Sequence, residues 1–288
     1  MRIRIGWFVC ALLVVSEADA HEGAPLTLSR LSDATNASTL FERAESYRNL
    51  SRVDDALVAL ELVQALHPDE TRVWLERGRL EQDRGQHSAA VAAFTKYLER
   101  DGRDVYGARL LRARSRVALG DAVAAMADYA GAVDAAPGVD AFYEGGRLLV
   151  NAGRRVEAVA WLARGVEATG SDLLVAELAR VEPDPSRAKA LIDARLRSAR
   201  VKTRWLLLRA EVQSDASAAA ADRRAAVADA ERLVARRPTP LALTERAAAY
   251  VAVGRRKDAV ADLQRALRRA PSFTRAQTLL ERIEGGAR

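Results

Sequence analysis

The sequence predicts an all-α protein built as an array of helix pairs. Three observations carry this expectation. Ala, Leu, Arg and Glu, which suit helices, are abundant, while β-branched and aromatic runs with period-two alternation are nearly absent. Hydrophobic residues make up 49% of the 288 residues, which supplies ample apolar surface for helix-on-helix packing and argues against disorder. The chain also aligns on itself with a period of about 34 residues, the mark of stacked repeats.

The first twenty residues differ from the rest. Arg2 and Arg4 precede an apolar run from Ile5 to Val15, and Ala18 and Ala20 follow it, which is the profile of an export leader cleaved before His21. The run is shorter than the roughly 20 apolar residues that span a bilayer. Cys10, the one cysteine, lies inside it, so the mature chain is expected to lack disulfides and thiolate metal sites. A periplasmic or secreted location is therefore expected.

Within the mature chain the clearest copy of the repeat runs through Trp74, Gly78, Gly85, Ala90 and Phe94. The preceding copy carries Leu40, Ala44, Tyr47, Ala56, Leu60, Val63 and Pro68; the next carries Ala113, Gly120, Ala125, Tyr129, Ala132 and Pro137. A fourth reads Phe142, Gly146, Leu149, Gly153, Ala158, Leu162 and Gly165, and a late one Leu243, Ala247, Tyr250, Gly254, Ala259, Leu263, Ala266 and Pro271. Each position has a physical reason. Gly78 and Ala90 stand where two helices approach closely, and Trp74 and Phe94 fill the space between helices. Gly85, Gly120, Gly153 and Gly254 fall at the end of a first helix, where a left-handed residue is favoured. Pro68, Pro137 and Pro271 stop the second helix of their copies and open the next unit.

These positions resemble the tetratricopeptide repeat, a unit of two antiparallel helices. The resemblance implies a superhelical solenoid of about seven helix-turn-helix units and a C-terminal capping helix. The spans expected are a leader over 1–20, a flexible lead-in over 21–36, four units over 37–170, two degenerate units over 171–238, a seventh over 239–271, and the capping helix and tail over 272–288. Two departures stand out. Glu182-Pro183-Asp184-Pro185 replaces a turn and predicts a shortened first helix before it, and the stretch Ser214–Ala221 predicts a lengthened turn in the next unit.

Catalytic chemistry finds little to work with. There is no Gly-rich phosphate loop, zinc spacing or nucleophile elbow. His67 and His87 belong to separate points of the array, His87 in a turn. Cleavage would pair the His21 imidazole with a free amine, as in copper chelation, but no second histidine is placed to complete a site. No catalytic residue, metal or cofactor is expected.

The net charge of +6 is uneven. From Arg232 to Arg288 there are 13 basic and 5 acidic residues, leaving 32 and 34 for the rest, so the excess sits at the C-terminal end. It suits peripheral contact with an anionic membrane surface through 232–288, or an acidic partner, better than nucleic acid. The resemblance further implies a concave groove lined by first helices. Arg79, Arg114 and Arg147 take the same groove-facing position in units two to four, beside Leu75, Leu110, Val117, Tyr143, Val150 and Asn151. Such a wall suits an extended or helical protein segment. The Lys and Asn residues of the family's carboxylate clamp are missing. The function expected is a monomeric, non-enzymatic periplasmic scaffold for a protein or peptide; the alternative is an envelope-assembly or membrane-surface protein using the basic end.

Because stacked repeats touch only their neighbours, the array is expected to open first at its weakest unit, near Pro183 and Pro185. Hydrogen exchange should be faster there than around Trp74, and equal protection would refute this weak point.

Overall fold

The computed structural model describes residues 36–285. The leader with Cys10, and His21, lie outside the described residues. Among those described the chain is all-α, a succession of antiparallel helix pairs with no strand. The pairs are α1 (Ala37–Asn49) with α2 (Val53–Leu66), α3 (Arg72–Asp83) with α4 (His87–Glu99), and α5 (Val105–Ala118) with α6 (Ala122–Ala135). Next come α7 (Val139–Asn151) with α8 (Arg155–Thr169), α9 (Asp172–Val181) with α10 (Pro185–Ser198), and α11 (Thr203–Val212) with α12 (Ala216–Arg236). The last pair is α13 (Pro240–Ala252) with α14 (Arg256–Arg269), and α15 (Thr274–Gly285) follows alone. Two compact units divide within α7, the first ending at Ala141 and the second beginning at Phe142.

Close approach sets the geometry inside each pair. A Cβ on Gly78 would come within 2.4 Å of the Phe94 ring, and one on Gly146 within 2.7 Å of Leu162, so these positions admit no larger residue without parting the helices. Phe94 and Leu162 are consequently buried. The turn between the helices uses a left-handed residue. Gly85, Gly120, Gly153 and Gly254 have φ between +72° and +80°, and the next residue's N–H reaches back to the helix, as Gln86 does to the Glu81 carbonyl at 2.8 Å. In the first pair Ser51 takes that conformation, at φ 58°, and the Arg52 N–H bonds the Tyr47 carbonyl.

Three sequence expectations need correction. Ser214–Ala221 is almost wholly helix, because Asp215 accepts hydrogen bonds from the Ser217 and Ala218 N–H groups and starts α12 at Ala216, ahead of an Ala-rich run. His87 opens α4 instead of lying in the turn. Asn36, placed in the flexible lead-in, is the N-cap of α1, its Oδ1 accepting from the Thr39 N–H at 2.8 Å. The short first helix before Pro185 is present: α9 has 10 residues, and Pro185 opens α10 behind an Asp184 cap.

Buried ion pairs tie the two helices of three pairs together. Asp128 on α6 receives a bidentate bond from Arg112 on α5, at 2.7 and 2.9 Å, and a second arginine, Arg116, at 2.8 Å. Arg112 also donates to Thr95 Oγ1 on α4, so the cluster joins neighbouring pairs of the first unit. In the second unit Arg246 grips Asp262 at 2.7 Å on both oxygens. Both arginines precede the small residue of the first helix, Ala113 or Ala247, and lie sixteen residues before their aspartates. Arg209 holds Asp222 from thirteen residues away because α11 is about one turn shorter than α5 or α13. At the matching place in α7 and α8 the residues are Gly145 and Trp161, and the indole N–H donates to the Phe142 carbonyl at 2.9 Å.

Replacing Asp128 by Ala strands two guanidinium groups at a buried site and is expected to cost about 3–5 kcal/mol. Asp262→Ala strands one and should cost less. Urea midpoints of the two variants test this order, and unchanged midpoints would remove the ion pairs from the account.

Candidate binding groove

The nine residues expected to line a groove separate into three groups. Leu75 and Leu110 are each 6% exposed and offer no surface to a partner. Leu75 packs in the core of the first unit with Trp74 and Ala108; successive helical residues turn by about 100°, so one step round α3 leads from surface to interior. In the same unit Arg79, Arg114 and Val117 reach the surface, Val117 with 41% of its area exposed. Arg79 bonds Glu76 at 3.0 Å beside a small cavity between α1 and α3 that is also lined by Phe41, Arg48 and Arg72. Arg72 stacks on the Phe41 ring there, 4.6 Å from its centre.

Tyr143, Arg147, Val150 and Asn151 form the third group, and the second unit brings all four to one open cavity. The rest of its wall lies beyond the residues predicted from the sequence. Glu177, Arg180 and Val181 come from α9, Glu211 from α11 and Arg282 from α15. A second cavity continues from the first through Arg180, Glu211 and Arg282, and adds Arg204, Leu207, Arg223, Glu245, Ala248, Val251, Ala252, Arg275 and Leu279. Together they make a trough across α7, α9, α11, α13 and α15, to which α12 adds Arg223. The signal for part of this wall was present: Glu177, Glu211 and Glu245 repeat at an interval of 34 residues. Arg282 had no such signal, because α15 has no partner helix to set its register.

Charge in the trough is partly paired. Arg180 bonds Glu177 at 2.7 Å and lies 3.4 Å from Glu211, and Arg275 meets Glu245 at 2.8 Å. Glu245 is only 3% exposed, and its Oε2 has no hydrogen-bond partner. Arg147 donates to the Tyr143 hydroxyl at 3.2 Å, and this bond raises its pKa above the ordinary arginine value. At the basic C-terminal end part of the charge is used internally. Arg255 bonds Asp258 at 2.7 Å and sits 4.0 Å from the centre of the Tyr250 ring, while Arg269 donates to the Pro238 carbonyl.

His67 caps the end of α2 and His87 starts α4. Among the described residues no group of three or more His, Cys, Asp or Glu is placed to hold a metal ion, and no helix is long and apolar enough to cross a membrane.

Comparison with known proteins agrees with the fold. The model of the tetratricopeptide repeat matches residues 41–105 and again 75–140. No curated protein sequence matches the chain. The structure is similar to a tetratricopeptide repeat protein from Parabacteroides merdae ATCC 43184, with 16% identity over 86% of this chain and 98% of the other, at a TM-score of 0.50. It is also similar to the C-terminal part of a TPR repeat-containing protein from Cytophaga hutchinsonii, with 17% identity over 83% of this chain and 98% of the other, at a TM-score of 0.53. Identities of this size speak for the fold alone.

Proposed function

We propose that the chain is an exported, non-enzymatic scaffold that holds a protein partner on surfaces presented by its first helices. The observation that carries the reading is the trough of the second unit. Four consecutive helix pairs contribute first-helix side chains to it, mixing guanidinium, carboxylate and apolar groups along a length that suits a polypeptide segment. Tetratricopeptide repeats, which residues 41–140 match, typically serve protein–protein interaction. Export rests on the leader profile of residues 1–20.

Two experiments test the reading. Expressed in a Gram-negative bacterium with its own leader, the chain should appear in the periplasmic fraction with His21 at its amino terminus, and recovery from the cytoplasm with Met1 intact would refute export. Arg79→Ala, Arg114→Ala and Arg147→Ala combined should leave the fold stable, because Arg79 and Arg147 lose only surface contacts worth under about 1 kcal/mol each. The same variant should release a partner recovered by cross-linking to the wild-type chain, and undiminished recovery would assign binding to another face.

A further inference from the structure

We infer that the trough of the second unit takes an acidic, partly apolar peptide segment, seated by Arg147, Arg223 and Arg282. The inference rests on the scaffold reading and names the chemistry of its partner.

The charges in the trough are unequally matched. Its three carboxylates, Glu177, Glu211 and Glu245, already face arginines of the same wall. Arg204 is likewise held by Asp172. Three arginines differ. Arg147 bonds only the neutral Tyr143 hydroxyl and ring and feels Glu177 more weakly, without an ion pair, and Arg223 and Arg282 have no ion pair or hydrogen bond among the described residues. With six arginines against three carboxylates in its wall the surface is cationic, so an anionic occupant is favoured over a cationic one.

Two features select a peptide among anions. Between the arginines lie apolar side chains that a bare phosphate would leave uncovered; Val150 and Val251 are each 39% exposed. Glu245 adds a second requirement. Its carboxylate is buried, one oxygen bonds Arg275, and the other lacks a donor, a costly arrangement that a nearby N–H would relieve. A phosphate ion or a lipid headgroup brings negative charge, and at most hydroxyl donors, but no run of apolar side chains interleaved with N–H groups. A peptide brings carboxylates for the arginines, apolar side chains for the valines and amide N–H groups for Glu245. The trough also runs past several helices, which matches a segment better than a compact ion.

Fluorescence polarisation with the purified full chain tests this, using labelled peptides of Glu and Leu that differ in the spacing of the glutamates. At least one spacing should bind, weaken with added salt, and lose about tenfold or more in affinity when Arg147, Arg223 and Arg282 are changed to Gln. Helicity and Tm of the Gln variant should match the wild type, and the single Arg282→Gln variant, on the exposed side of α15, gives a second reading free of folding effects. Arg154→Gln, in the turn between α7 and α8 where the side chain pairs with the exposed Glu157, should leave peptide binding unchanged. Equal binding of Lys and Leu peptides, no binding at any spacing, or equal competition by inorganic phosphate or by phosphatidylglycerol vesicles would overturn the inference. If the cross-linked partner is still captured by the Gln variant, the acidic segment falls while the scaffold stands; if the wild-type chain captures no partner, the scaffold itself falls.

Discussion

The distance between the two helices of a pair is the constraint on which the remaining structure depends. Where Gly78 faces Phe94 and Gly146 faces Leu162, there is no room for a Cβ, and the ring or branched side chain occupies that space instead. With the helices this close, the turn between them must be short, which calls for a left-handed residue and a back-bonded N–H. The short turn in turn fixes which first-helix residues point away from the partner helix. The surface available for binding is thus a by-product of packing two helices as tightly as their side chains allow.

Charge takes a different part at each depth. In the interior, Asp128, Asp222 and Asp262 receive paired donors from arginines and connect helices that apolar contacts already hold. Pairs of this kind add direction more surely than net stability, since removing both charges from water is costly. At the surface, many of the arginines meet acids three or four residues away, as Arg52 does Asp55 and Arg154 does Glu157, and contribute little. In the trough, arginines brought together from separate helices keep unspent bonding capacity.

Sequence reading reached the fold through positions where one residue type is nearly forced. Gly85 or Gly254 at a left-handed turn, and small residues opposite large ones, are of this sort. It fell short where the outcome depends on several elements at once. The repeat spacing puts Leu75 and Leu110 beside the groove arginines, yet a single step round the helix places them in the core. The length of α12 followed from one capping aspartate, Asp215, within a stretch whose Ser and Asp resemble a loop. The Arg112–Asp128 pairing was hidden because arginine is so common that sixteen-residue coincidences carry no weight without coordinates. Arg282 joined the site only through the docking of α15.

The Gly145–Trp161 arrangement occupies the place that Arg112–Asp128 and Arg246–Asp262 fill elsewhere. An indole lying over a glycine and a guanidinium clasped by a carboxylate are interchangeable as whole arrangements and incompatible as halves. An arginine at 145 would drive into the indole, since even a Cβ there comes within 2.9 Å of its nitrogen, and an aspartate at 161 would face glycine with no counter-charge. Passage from one arrangement to the other therefore crosses a less stable intermediate, whichever residue changes first. Repeats that began as copies can in this way become fixed in different solutions, each pair keeping a private interior while the helices outside it stay alike.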